Sequence, residues 1–219
     1  MRRDISAVSL STIYLVRVGE TKWDREGRHQ GRLNSPLTPR GIEQARATGR
    51  ALRKLLPDPQ LVCIETSPLG RAGHIAALLC AELSLDAKAM VVSPLLIEHH
   101  LGAWQGLTNA EIDAQYPGAR REREADKWNY VLPGGESYAL VHERARQWLA
   151  SKRHAPVTIA VTHTMFSRVL QGAYAGLAPQ ETLRLSHPKD RLYRLYDAQL
   201  EEIPVLKAGL SERGPNSVG

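Results

Sequence analysis

The sequence predicts an α/β protein: a three-layer α/β/α sandwich around a mainly parallel sheet. Three observations predict it. Short apolar runs rich in β-branched residues alternate with segments of helical period, the pattern of repeated strand–helix units. A chain of 219 residues is long enough for one domain with a sizeable core. The polar residues that stand out, Arg17, Ser67 with Arg71, Glu98 and His163, fall where expected strands end. Open sheets of this class gather ligands in a crevice at such ends.

Residues 1–11 read as an N-terminal tail and 12–210 as a single domain, with a polar, Gly- and Pro-containing disordered tail at 211–219. Thr12–Val16 is the first strand, an apolar run that breaks at Arg17-Val18-Gly19-Glu20-Thr21 into a polar loop. Thr38-Pro39 starts a helix, with a capping hydroxyl before a proline in the first turn. Ile42, Ala45, Gly49, Leu52 and Leu56 follow at helical spacing, and Pro57 stops the run. Leu61–Glu65 is a second strand, and Thr66-Ser67-Pro68 opens a helix that carries Arg71 in its first turns. Ala89–Val92 is a third strand, and Pro94–Ile97 continues extended to Glu98. Thr108-Asn109-Ala110-Glu111 fits a capping box. Residues 118–135 form an excursion, a lid or insertion beside the sheet. Ser137 caps the next helix, Val157–Val161 is a strand, a helix starts at Met165, and Arg191–Tyr196 is a last strand.

The composition excludes several classes. The net charge of +6 favours anionic ligands, but the basic residues are interleaved with acids, as in Arg120-Arg121-Glu122-Arg123-Glu124. No clustered basic face or nucleic-acid module is visible, so no nucleic-acid partner is expected. No apolar run is long enough to span a membrane. Cys63 and Cys80 lack metal-ligand spacing and suit a reduced, cytoplasmic chain. His99 and His100 are adjacent, so an extended segment sends them to opposite faces, and no metal site is expected. A glycine-rich nucleotide fingerprint is absent, and Ser137 and Ser167 have no nucleophile-elbow setting. No cofactor is expected.

The strand-end residues suggest a chemistry. Arg17 and Arg71 would aim two planar guanidiniums at a phosphate or carboxylate. Arg71 lies near a helix N-terminus, which adds backbone donors. His163 can donate to an anion or exchange protons. Glu98 beside a bound dianion would favour its protonated form and suit a general acid. Each residue alone has an ordinary explanation: a structural histidine, a paired carboxylate, a surface arginine. Their shared placement is the argument.

The chain resembles the histidine phosphatase superfamily, the phosphoglycerate mutase-like group, over roughly Ile13 to Tyr196. Leu15-Val16-Arg17-Val18-Gly19-Glu20-Thr21 is similar to the family's leading motif, whose usual core is Arg-His-Gly-Glu. Gly27-Arg28-His29-Gln30-Gly31 and Pro36-Leu37-Thr38 continue it. Ser67-Pro68-Leu69-Gly70-Arg71-Ala72, Glu98 with Gly102-Ala103-Trp104-Gln105-Gly106, Pro133-Gly134-Gly135-Glu136-Ser137 and Val161-Thr162-His163 complete the pattern. The resemblance implies phosphoryl transfer through a nucleophilic histidine, with a carboxylic acid protonating the leaving oxygen. It implies that Arg17, Arg71 and His163 form the phosphate pocket, that Glu98 is the acid, and that Asp24, Gln30 and Thr164 line the ligand. It also implies a homodimer.

The nucleophile's own position is Val18. An isopropyl group has no lone pair to carry a phosphoryl group and cannot donate to an anion. Asp24 stands where the family often has Asn, and its charge would repel a phosphate. Three readings follow. The chain binds a phosphorylated or carboxylated small molecule without turnover. Alternatively, Glu98 and His163 act as acid and base on an anionic substrate with no covalent intermediate, with His99 or His100 assisting. Alternatively, it is an ordinary phosphomonoesterase or mutase inactivated at Val18.

Overall fold

The computed structural model describes residues 12–152 and 157–205. The tails expected at 1–11 and 211–219 lie outside these residues. Six strands form one sheet: β1 (Ile13–Arg17), β2 (Cys63–Thr66), β3 (Val91–Val92), β4 (Thr158–Thr162), β5 (Arg191–Tyr196) and β6 (Gln199–Pro204). Their order is β3-β2-β4-β1-β5-β6. The β2–β3, β2–β4 and β1–β4 pairs are parallel. β5 runs antiparallel to β1, and β6 antiparallel to β5. The sheet is mixed, with its parallel part at β3-β2-β4-β1.

β1 shows why the molecule has three layers. Side chains alternate between the two faces of a strand. Tyr14 and Val16 pack with the buried residues of α2 (Pro39–Leu55) and α3 (Gly70–Leu83). Ile13 and Leu15 pack on the other face with α6 (Tyr138–Ala150) and α7 (Thr164–Ala175). A leucine such as Leu52 or Leu79, fully removed from water, contributes on the order of 2 kcal/mol. A smaller apolar cluster of Leu101, Trp104, Ile112 and Leu132 holds the segment between β3 and α6. That segment contains α4 (Asn109–Gln115) and α5 (Ala119–Ala125). Among the described residues, no helix is long and apolar enough to cross a membrane.

The helix starts follow the sequence signals. Thr38 Oγ1 accepts from the Gly41 amide at 3.1 Å and Ser137 Oγ from Leu140 at 3.3 Å. Thr108 and Glu111 close the expected capping box. Three expectations need correction. Pro94–Leu96 is a 3-10 turn, not a continued strand, because the Leu96 and Ile97 amides turn back to Ser93 and Pro94. The loop after β1 contains a short helix, α1 (Lys22–Glu26), capped by Thr21 and Asp24. The chain after Met165 carries a further helix, α8 (Pro179–Arg184), and β6, neither of them expected.

Glycine decides how the loop after β1 packs. A Cβ on Gly19 would stand 2.6 Å from the Gly41 carbonyl oxygen, and one on Gly41 would overlap the Glu20 carbonyl oxygen. The loop therefore lies directly on the first turn of α2. That contact aims the residues after Arg17 toward the ends of β2 and β4.

Candidate active site

A cleft of about 240 Å³ opens where β1, β2 and β4 end. It brings together Arg17, Val18, Asp24, Gln30, Arg71, Glu98, His163 and Thr164. The parallel register explains the convergence. Arg17 pairs with Thr162 across β1 and β4, and Thr66 pairs with Val161 across β2 and β4. Residues just past these positions emerge at one edge.

Val18 sits on the floor. It is only 6 % exposed and belongs to the apolar cluster under α2 and α3. Its amide donates to the Thr162 carbonyl at 2.9 Å, which extends the β1–β4 pairing by one residue. Arg71, in the first turn of α3, donates to the carbonyls of Leu33 at 2.6 Å and Gly31 at 2.7 Å. Arg17 donates through Nη1 to the His187 carbonyl, while its buried Nε has no protein partner. Burial lowers both guanidiniums from their ordinary values, against the opposing pull of Asp24 and Glu98. Arginine stays charged regardless.

His163 is the N-cap of α7, with no capping bond from its side chain. Its Nε2 pairs with Ser67 Oγ at 2.8 Å, and its buried Nδ1 has no protein partner. Burial, then Arg71 and Arg144, hold the imidazole well below its usual range, so it is neutral at neutral pH. Glu98 supplies what the cap lacks. It accepts from the amides of Met165 at 3.2 Å and Phe166 at 2.9 Å, and from His99 at 2.9 Å. A carboxylate there meets the orphan amides and positive end of α7. Thr164 opens the same helix and lines the cleft.

The outer wall is built from side chains. Asp24 Oδ2 accepts from the Thr21 amide at 2.8 Å and Thr21 Oγ1 at 2.9 Å. It also stands 2.8 Å from Lys189 Nζ. Burial pushes the Asp24 carboxyl up, but Lys189 and Thr21 outweigh it and the net shift is downward. The expectation that Asp24 would repel a phosphate is corrected by this pairing: its charge is answered by Lys189. Gln30 Nε2 donates to Thr21 Oγ1 at 2.7 Å.

Two contributors lay outside the sequence reading, and a third, Glu136, was named there only within a motif. Lys189 lines the cleft. His187 holds Arg17 through its carbonyl, and its ring pairs with Ser167 Oγ. Burial, then Arg17, push that imidazole down to about 3. Glu136 clamps the Glu98 segment from behind. It accepts from Arg32 at 2.7 Å, Arg144 at 3.0 Å and the His100 amide at 2.9 Å. The Pro133-Gly134-Gly135-Glu136-Ser137 motif was visible as a motif, but nothing local named its partners. His99 is buried with Nε2 on the Glu136 carbonyl at 2.8 Å. His100 presents its amide to the Glu136 carboxylate. Neither imidazole lines the cleft.

The cleft therefore sets four cations, Arg17, Arg28, Arg71 and Lys189, against two carboxylates, Asp24 and Glu98, with the neutral His163 imidazole in the same lining; Arg28 is already paired with Glu26 and Glu111. That balance suits a small anion. Among the described residues, no group of three or more His, Cys, Asp or Glu stands close enough to hold a metal ion.

Known proteins share this chain's sequence and fold. The histidine phosphatase superfamily (branch 1) matches residues 13–199. A glucosyl-3-phosphoglycerate phosphatase of Mycolicibacterium vanbaalenii is 34% identical over 177 residues, 75% of this chain and 74% of the relative. An acid phosphatase of Mycobacterium tuberculosis is 34% identical over 182 residues, 80% of this chain and 81% of the relative. The structure of a mycobacterial glucosyl-3-phosphoglycerate phosphatase complexed with VO3 superposes with a TM-score of 0.71 at 29% identity, covering 84% of this chain and 90% of that one. The same enzyme with inorganic phosphate gives 0.71 at 26% identity, covering 92% and 100%. By sequence and by fold, this chain belongs to the histidine phosphatase superfamily, branch 1.

Proposed function

We propose that this chain binds a phosphorylated or carboxylated small molecule between Arg17, Arg71 and His163, and does not hydrolyse phosphomonoesters through a phosphohistidine. The observation that carries the reading is Val18, an isopropyl group on the cleft floor. It follows Arg17 in the segment similar to the superfamily's Arg-His-Gly-Glu core. In a working relative, an imidazole nitrogen there would form a bond to phosphorus as the ester oxygen left with a proton from the acid. Valine offers no lone pair for that bond. Arginines survive to bind the anion, and relatives solved with VO3 and inorganic phosphate support an oxyanion as the ligand.

One observation favours a second reading. His163 is neutral, and its Nδ1 has no protein partner. With an anion offsetting Arg71 and Arg144, it would accept a proton as a weak base toward a substrate held by the arginines, with Glu98 as the acid and no covalent intermediate. Mass spectrometry of anionic metabolites incubated with the chain separates the two. A product lost in His163→Ala selects the enzyme.

The binding claim is tested by thermal unfolding in rising inorganic phosphate. Phosphate that prefers the native state raises Tm with its concentration, and Arg71→Met should abolish the rise. An unchanged Tm in the unmodified chain at tens of millimolar phosphate would contradict the anion site.

A further inference from the structure

We infer that Ser67 is a positioning residue: its hydroxyl donates to His163 Nε2 and so fixes the ring proton on Nδ1, the nitrogen left for a ligand. That an anion meets this proton rests on the reading of the cleft as an anion site; the tautomer itself does not.

The assignment follows from counting donors and acceptors. The His163 ring is neutral, so it carries one N–H and one lone pair. A serine hydroxyl carries one donor hydrogen and two lone pairs. Ser67 is 1% exposed, so its hydroxyl finds its partners within the protein. Its Oγ lies 2.8 Å from His163 Nε2 and accepts from the Leu69 amide at 3.3 Å. A ring proton on Nε2 would donate to Ser67 Oγ. The serine hydrogen would then have no acceptor among the described residues, and the Nδ1 lone pair no donor. With the proton on Nδ1, Ser67 donates to Nε2 and still accepts from Leu69. One buried group, the Nδ1–H, is left open. Buried polar groups are costly to leave unpaired, so the arrangement with fewer of them prevails.

The start of α7 points the same way. An N-cap side chain ordinarily accepts from the second or third amide of its helix, and an Nδ1 lone pair would suit that place. Those amides, of Met165 and Phe166, are taken by Glu98, and His163 makes no capping bond. An oxyanion between Arg17 and Arg71 calls for a donor instead. His163 then serves the cleft as a neutral donor, with its basic nitrogen closed by Ser67. That favours binding without turnover over the acid–base reading.

Two-bond 1H–15N correlation spectra of the full chain, with 15N in its histidine rings, report the tautomer directly. The His163 signals are those missing in His163→Gln. The unmodified chain should show Nδ1–H at neutral pH, and its Nδ1 resonance should move as inorganic phosphate is added. Ser67→Ala should populate the Nε2–H form and weaken phosphate binding about tenfold, as one lost charge-assisted hydrogen bond allows. Ser67→Thr, which keeps the hydroxyl, should restore both. An Nε2–H form in the unmodified chain overturns the inference and favours the acid–base reading. An Nδ1–H form that persists in Ser67→Ala overturns the role of Ser67. An Nδ1–H form that depends on Ser67 but ignores phosphate supports the tautomer and overturns the anion as its partner.

Discussion

The floor of the cleft and its outer wall are built on different principles. The floor is fixed by backbone. Val18 extends the sheet, Arg71 is held by two loop carbonyls, and Glu98 takes the first amides of α7. The wall is fixed by side chains, with Lys189 on Asp24 and Gln30 on Thr21. Backbone contacts in a buried setting are costly to break, whereas a partly exposed ion pair contributes less. The floor should therefore behave as part of the fold, and the wall as a set of contacts that can change partners. On the proposed reading, the floor defines which charge fits, and the wall which ligand.

Acid should disturb the floor most. His163 and His187 are buried and held neutral, His187 down to about 3. Below their unfolded value near 6.5 the unfolded chain takes up protons that the folded chain refuses. Stability is therefore full above that pH and falls as pH drops through it. These two groups contribute a slope of about 3 kcal/mol per pH unit, and His99 and His142, also lowered by burial, add to it. Urea unfolding between pH 7 and pH 5 measures it, and a flat profile would mean that the imidazoles accept protons in place.

Glu136→Ala should cost the next most. It leaves Arg144 and Arg32 without their shared carboxylate behind the Glu98 segment, a loss of about 3 kcal/mol. Glu98→Ala strips the amides of α7 of their acceptor and should cost about 1–2 kcal/mol. Lys189→Met should cost about 0.5–1 kcal/mol, because the pair is only partly exposed and Asp24 keeps its two Thr21 donors. Denaturant midpoints rank the three. If Lys189→Met proved as destabilising as Glu98→Ala, the division between floor and wall would be lost.

The floor was also the part legible in the sequence. Arg17, Arg71 and His163 follow short apolar runs, so the strand signals placed them at one edge before any contact was known. The Thr38 and Ser137 caps were legible because a cap is a local pattern. The α1 helix carried a readable signal in Thr21 and Asp24, a capping box with aspartate in the acidic place, but its five residues show no apolar period. The turn at Pro94–Leu96 looked extended because a continuous apolar run does not distinguish a strand from a buried turn. Lys189 and His187 were not legible. Their partners Asp24 and Arg17 are distant in sequence, and a lone lysine in a polar stretch carries no sign of the carboxylate it meets. Asp24 and Gln30 of the wall were named from the resemblance, but the long-range pairing of Asp24 with Lys189 appears only with the fold.

The central claim is that residue 18 alone separates this cleft from phosphohistidine chemistry, and it is tested by hydrolysis of p-nitrophenyl phosphate by the unmodified chain and by Val18→His. The account predicts no hydrolysis above buffer for the unmodified chain. It predicts turnover for Val18→His, with an acid-labile phosphoenzyme that is lost when Arg71 is also replaced by Met. Brisk hydrolysis by the unmodified chain, dependent on Glu98 and His163, would contradict it.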